Sequence, residues 1–208
     1  MLYTLQHRGY VVKDENAKYN ISEKLAVSSL PAERQNVSDL AAPYLKKLRD
    51  DTRETVFLGV LNTNGKVVLL NKEDGFAPGS LKVPLAYELD SYTTALGKVL
   101  LAHLDKPFQD AMLDILRLEP HTPETITDLK TLKAELKEDE TAPYVLEYEQ
   151  NYPGHSDIAA PIFDENGRVA AALSVGCSVE TMKKKSEVFA ERLVTAASVI
   201  SSLMGYKS

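Results

Sequence analysis

The side chains best able to do chemistry are concentrated between residues 147 and 178. Glu147 and Glu149 stand two apart in a predicted strand, so they share a face that is solvated, borders a pocket mouth or binds a cation. His155, Asp157 and Cys177 are residue types that can ligate a metal, but their spacing matches no metal-binding motif. No nucleophile–base pair is indicated by the spacing. An enzyme that uses one of these acidic residues as acid or base is therefore the minority hypothesis.

A β-hairpin is predicted over Asp157–Ser178, because two short apolar runs flank the turn-forming residues Asp164–Gly167. With a symmetric loop, Asp157 would lie opposite Ser174. Large apolar side chains would share one face: Ile158, Ile162, Val169, Leu173 and Val175. Small or polar residues would share the other: Asp157, Ala159, Pro161, Ala170, Ala172, Ser174 and Gly176. This second face is either the floor of a ligand cavity or a surface on which a helix packs tightly.

Gly97 lies inside a predicted helix, Thr93–Leu104, where glycine costs about 1 kcal/mol relative to alanine. We therefore expect another element or a ligand to approach the helix backbone closely at this position. Thr93 and Thr94 place hydroxyls at the helix start, where free N–H groups also favour an anion. The simpler explanation is an N-cap combined with tight packing. Lys98 is either solvated or placed to meet an anion.

Composition limits the class of protein. The chain has 208 residues, of which 44% are hydrophobic and 26% charged, as in ordinary globular proteins. Its net charge of -6 argues against a polycation that binds nucleic acid along its whole length. The single cysteine, Cys177, excludes an intrachain disulfide, and no apolar run approaches the ~20 residues that span a bilayer. We expect a cytoplasmic protein without membrane contact, and no metal or other cofactor is predicted.

An α+β fold is predicted from the order of the elements, with an antiparallel sheet flanked by helices. Ser38 is the expected N-cap of the first helix, which follows a linker. Short strands at residues 10–13 and 18–21 form a hairpin typical of the end of a winged-helix unit. The other elements are expected at residues 38–50, 93–104, 106–118, 128–138 and 179–204 for helices, and at 55–61, 66–70, 81–85, 144–149 and 157–176 for strands.

Several of these segments together resemble the IclR family of bacterial transcription regulators. Four stretches carry the resemblance, in the family's order and spacing. Residues 5–21 resemble the end of the family's recognition helix and its wing, and Ala95–Ala102 is similar to its GKALLA helix. Ile158–Ser174 resembles its effector-domain hairpin, and Ala197–Tyr206 resembles its C-terminal segment.

The resemblance implies a ligand-responsive regulator with three parts: residues 1–25 as a winged-helix remnant, 26–38 as a linker and 39–208 as a GAF-like effector-binding domain. The implied effector-binding residues surround the hairpin and the glycine-containing helix: Ala95, Leu96, Gly97, Glu147, Glu149, His155, Asp157, Ser174 and Gly176. The family's effectors are typically small organic acids. Glu147 and Asp157 depart from that expectation, because a carboxylate would be repelled unless they are protonated or paired, and they favour a polar or cationic ligand or a metal.

The implied macromolecular partners are operator DNA, bound through the full-length N-terminal domain, and further copies of the chain in a homodimer or homotetramer. The first helices of the reader domain are absent from this sequence. The DNA-binding residues that the resemblance implies are Arg8, Lys13 and Lys18. These three positive charges, with the acidic Asp14 and Glu15 close to them in the sequence, are too few to hold DNA phosphates. We therefore expect that this 208-residue chain does not bind a specific operator tightly, which a gel-shift assay would test. A GAF-type sensor acting through protein contacts is the alternative, and the residual wing argues against it.

Overall fold

The computed structural model describes residues 32–76, 80, 83–85 and 87–207, together with Gln6 and two short strands, Val11–Lys13 (β1) and Tyr19–Ile21 (β2). Apart from Gln6, side chains are described from residue 36 onward. Strands β1 and β2 pair in antiparallel fashion, which confirms the predicted N-terminal hairpin. The three candidate DNA-binding side chains lie outside the described part: Arg8, Lys13 and Lys18.

A six-stranded antiparallel sheet lies at the centre of the domain. Its strands are Thr55–Leu61 (β3), Lys66–Glu73 (β4), Glu88–Asp90 (β5), Val145–Tyr148 (β6), His155–Phe163 (β7) and Val169–Ser178 (β8), in the order β5-β4-β3-β8-β7-β6. The helices are Ala32–Thr52 (α1), Ala95–Ala102 (α2), Lys106–Ile115 (α3), Leu129–Asp139 (α4) and Val179–Leu203 (α5). The predicted α+β fold, with helices flanking an antiparallel sheet, is confirmed.

Helix α1 begins at Ala32, six residues before the predicted cap, so the expected linker is partly helical. Its apolar residues recur at helical spacing and are buried: Val37, Ala41, Leu45 and Leu48. Because the buried face already includes Val37, burial favours helix on both sides of Ser38, and it outweighs the cost of Pro43 inside the helix. Ser38 does not cap the helix. Its Oγ instead accepts a hydrogen bond of 3.3 Å from Asn71 Nδ2 on β4.

The predicted β7–β8 hairpin is formed, but the predicted register is wrong. Asp157 pairs with Gly176, and Ser174 pairs with Ala159. The connection between Phe163 and Val169 has five residues instead of the assumed four, and a bulge in β8 adds one more, so the partner is displaced by two residues. Since side chains alternate with a period of two, this even displacement keeps Asp157 and Ser174 on the same face.

A β-bulge near the turn accounts for one misplaced residue. Phe163 pairs with Val169, whereas the preceding Ile162 pairs with Ala171, so β8 contains one extra residue at this point. The bulge reverses the alternation for Val169. This side chain packs with the cluster on the α2 side of the sheet, not with Ile162 as predicted.

The sheet has one face covered by α1 and α5 and another covered in part by α2. Towards α1 and α5, strands β7 and β8 contribute Ile158, Ala160, Ile162, Ala171, Leu173, Val175 and Cys177. Towards α2 they contribute Ala159 and Ala172. Helix α4 packs on the outer side of α2. Tight helix packing on the alanines is thus present, but it covers only part of that face.

The strand predicted at residues 81–85 is not formed by the described residues 83–85. Pro84 lacks the N–H that a sheet ladder needs, and the edge position is taken by β5, which pairs with β4. Among the described helices, none combines the length and the apolar character that a membrane span requires.

Candidate functional site

The N-terminus of α2 is held in place by local contacts. Thr94 caps the helix, its Oγ1 accepting a hydrogen bond of 3.1 Å from Gly97 N. The preceding turn, Ser91–Thr93, lies against the helix so closely that a Cβ at residue 97 would overlap the backbone of Ser91. Glycine at this position is therefore required by a protein backbone contact, which is the packing alternative of the two considered from the sequence.

A pocket lies between the start of α2 and strands β3, β8, β7 and β6. Its cavity volume is about 40 Å³, and the space continues through an open mouth into solvent. Phe57, Leu89 and Leu96 form apolar walls, and Glu147 and Asp157 provide acidic groups. The pocket thus combines apolar walls with polar groups, as small-molecule sites usually do.

Six of the nine predicted effector-binding residues line this pocket: Leu96, Glu147, His155, Asp157, Ser174 and Gly176. The other three do not. Ala95 and Gly97 are buried within the protein. Glu149 follows the end of β6 with a φ of 57°, and its carboxylate accepts a 2.7 Å hydrogen bond from Gly154 N. The strand alternation stops before this residue, so Glu149 does not share the pocket face with Glu147.

Seven further lining residues were not predicted: Phe57, Val83, Leu89, Thr94, Asn151, Tyr152 and Ser156. Thr94 carried a sequence signal, since a hydroxyl at a helix start is a recognisable cap. Asn151 and Tyr152 belong to a loop that the sequence placed beside the predicted pocket strands. Phe57 carried no such signal, because it reaches the pocket only through the pairing of β3 with β8, in which it lies opposite Ser174.

Glu147, which is buried, and Asp157, which is partly buried, form a carboxyl pair on the adjacent strands β6 and β7. Asp157 Oδ2 accepts a hydrogen bond of 3.4 Å from Leu96 N, and Ala95 N–H also donates to this carboxylate. Glu147 accepts from Gln150 N and is hydrogen-bonded to Asp157. Burial, reinforced by the neighbouring Asp157, raises the pKa of Glu147 to about 10.

Burial also raises the pKa of Asp157, but the bonds from Glu147 and from the α2 backbone oppose that rise. Because only Asp157 receives N–H donors from a helix N-terminus, Asp157 is the better placed of the two carboxyl groups to hold the negative charge, and Glu147 to hold the proton. Glu147 then donates its proton towards Asp157, and the pair carries one charge rather than two.

Ser174 is fully buried on the pocket floor, and its hydroxyl has no hydrogen-bond partner among the described residues. Leaving a buried polar group unbonded costs about 1–3 kcal/mol. The hydroxyl is thus available to a molecule that enters the pocket.

A second buried charge lies on the far side of α2. Lys98 is 2% exposed, and its Nζ contacts Glu135 Oε2 on α4 at 2.6 Å. Burial, with a contribution from Glu135, raises the pKa of Asp139 to about 6, and the positive charge of Lys98 opposes this rise. Lys98 therefore meets an anion, as one alternative held, but the anion is a side chain of the protein.

The metal alternative is not supported by the geometry. Cys177 belongs to the core beneath α1 and α5, whereas Asp157 lies on the other face of the same strand pair. Within the part of the chain that the structure describes, no three His, Cys, Asp or Glu side chains are grouped so that they could hold a metal ion.

Comparisons with known proteins agree on one family. Residues 30–202 match the family described as "Bacterial transcriptional regulator IclR C-terminal". Over 209 residues, the chain is 30% identical to the HTH-type transcriptional regulator KdgR of Escherichia coli, covering 99% of this chain and 79% of KdgR.

Solved structures support the same assignment. The crystal structure of Thermotoga maritima IclR superposes with a TM-score of 0.81 at 29% identity, covering 99% of this chain and 83% of that one. An IclR homologue from Microbacterium hydrocarbonoxydans, solved in complex with 4-hydroxybenzoate, superposes with a TM-score of 0.78 over 98% of this chain and 82% of that one. Its identity of 24% shows a shared fold alone.

Proposed function

Since the chain belongs to the IclR family of bacterial transcriptional regulators, we propose that the pocket beside α2 is where this regulator binds its small-molecule effector. The protein is a ligand-responsive transcriptional regulator of the IclR type with a GAF-like effector-binding domain. The relatives carry the names of transcription regulators rather than of enzymes. A GAF-type sensor without a DNA-binding role is not favoured, because those relatives are HTH-type regulators.

The observation that carries the proposal is the free hydroxyl of Ser174 beside the Glu147–Asp157 pair, under the apolar wall formed by Phe57 and Leu96. Buried hydroxyls are usually hydrogen-bonded, so an unbonded one beside an open space is suited to a ligand that supplies the missing bond. The homologue crystallised with 4-hydroxybenzoate supports a small organic molecule as the kind of ligand that this fold accommodates.

In the proposed mechanism, the effector binds one arrangement of the domain more tightly than another and so shifts the equilibrium between two states of the regulator. Operator DNA is bound through an N-terminal winged-helix domain, to which residues 1–25 belong. Helix α1, which begins at Ala32, leads from that domain into the effector-binding domain. The regulator acts in the cytoplasm as a homodimer or homotetramer.

A thermal-shift screen tests the pocket. We would compare carboxylic acids, sugars and alcohols, amines and divalent metal salts on the wild-type chain and on Ser174→Leu, which fills the pocket floor. A ligand at 100 times its dissociation constant stabilises the native state by about 2.7 kcal/mol, so the expected result is a raised melting temperature in the wild type only.

Ser198→Leu is the matched control, because it makes the same change at an exposed position on α5. Stabilisation that survives in Ser174→Leu as fully as in Ser198→Leu would place the effector elsewhere and contradict the proposal.

A further inference from the structure

The start of α2 already holds an anion that belongs to the protein. The first backbone N–H groups of a helix are free to bind negative charge, and the helix dipole favours it. Here Leu96 N–H and Ala95 N–H both donate to the carboxylate of Asp157, which reaches them from β7. The feature of this pocket best suited to a carboxylate ligand is therefore occupied by a side chain.

Among the described lining residues, no permanently charged cation compensates for a second negative charge. None of the described lining residues is Lys or Arg. Lys98, the nearest buried cation, already contacts Glu135. Glu147 keeps its proton by donating it to Asp157, so the pocket carries one negative charge before any ligand enters. A carboxylate ligand would have to face this charge in a poorly solvated space.

We propose that Asp157 takes the place of an anionic ligand at α2, so that the effector of this chain is a neutral or cationic molecule with a hydrogen-bond-donating head group. This inference rests on the proposed effector pocket. Hydroxyl or amino groups on the ligand donate to the Asp157 carboxylate, and Ser174 bonds the same head group. The apolar part of the ligand lies against Phe57 and Leu96. The family's typical organic acids are thereby excluded as anions.

Matched probes that differ only in the head group test this inference. One set is 4-hydroxybenzoate, 4-hydroxybenzyl alcohol and 4-hydroxybenzylamine, and a smaller set is propionate, 1-propanol and propylamine. Binding of each is measured by calorimetry at neutral pH to the wild type, Asp157→Ser and Asp157→Asn. Circular dichroism and the melting temperature establish that each variant is folded.

In the wild type, we expect the alcohol or amine of a set to bind more tightly than its carboxylate by roughly tenfold or more. Asp157→Ser frees the two N–H groups of α2 and removes the charge, so carboxylate affinity should rise by roughly tenfold or more. Asp157→Asn removes the charge but keeps an oxygen that can accept hydrogen bonds from these N–H groups. Its gain in carboxylate affinity should therefore be smaller than that of Asp157→Ser.

Carboxylates that bind the wild type as tightly as their matched alcohols and amines would overturn the inference. The same conclusion follows if Asp157→Ser gains no carboxylate affinity. Tight carboxylate binding that is lost in Ser174→Leu would overturn only this inference and would leave the effector pocket standing. Binding that is unaffected by Ser174→Leu would instead contradict the proposed function.

Discussion

Strands β7 and β8 present two faces that are packed to different degrees. Towards α1 and α5, Leu173 and its neighbours form a continuous apolar core, and the buried Ser201 on α5 accepts a hydrogen bond from Phe163 N and donates one to Ala197 O. Towards α2, the alanines are covered, but Ser174 has no partner in the described structure and borders open space. Adjacent residues of one strand can therefore serve stability on one face and recognition on the other.

The largest expected effect separates two adjacent residues of β8. Leu173→Ala removes a fully buried side chain from the face that packs against α1 and α5. It should lower the free energy of unfolding by about 2–5 kcal/mol. Ser174→Ala removes only the unbonded hydroxyl on the pocket face, so its effect should lie within about 1 kcal/mol of zero. Urea denaturation of both variants measures the difference. Equal losses would mean that the two faces are packed equally.

A smaller effect is expected at the start of α2, where a Gly→Ala substitution should destabilise the protein instead of stabilising it. In most helices Gly→Ala stabilises by about 1 kcal/mol, but in Gly97→Ala the new Cβ overlaps the Ser91 backbone. The helix must shift, so we expect a loss of about 1–3 kcal/mol in urea denaturation. Ser198→Ala, an exposed helical position on α5, is the control and should be neutral or slightly stabilising. A stabilised Gly97→Ala would show that α2 can move away from Ser91 without cost.

The smallest effect concerns the buried charges on the α2 side. The pKa of Asp139 is about 6 in the folded protein against an ordinary 3.8, so its contribution to stability is fully present below pH 3.8 and is lost as the pH rises through 6. Asp139→Asn should therefore be more stable than the wild type at pH 7, on the order of 1 kcal/mol after allowing for partial exposure, and the gap should close near pH 4.

Denaturation at several pH values measures this gap, with Glu140→Gln at an exposed neighbouring position as the control. A gap that stays constant with pH would contradict the assignment of the shift to Asp139.

Much of the fold was predictable because the signals are local. Turn residues between apolar runs located the hairpin of β7 with β8, and the ranges expected for β3, β4, α2, α4 and α5 agree closely with the structure. Strand alternation placed Asp157, Ser174 and Gly176 on one face although the assumed register was wrong. That prediction survived because any even displacement preserves the alternation.

The errors occurred where a long-range contact or a local irregularity outweighed the pattern. Helix α1 begins at Ala32, six residues before the predicted cap, and the bulge beside Phe163 turned Val169 to the other face. The positive φ of Glu149 ended the alternation one residue earlier than predicted. Phe57 was missed because nothing near it in the chain reveals that β3 pairs with β8.

Residue type and periodicity were sufficient to specify the α+β class, the polar face of the hairpin and the need for a glycine in α2, since each depends on contacts between near neighbours in the chain. The electrostatic state of the pocket depends instead on residues far apart. Asp157 lies 61 residues along the chain from Leu96, whose N–H donates a hydrogen bond to its carboxylate. Glu147 keeps its proton because folding buries Glu147 beside that same carboxylate. Charge and solvation follow from spatial proximity, which the three-dimensional packing creates.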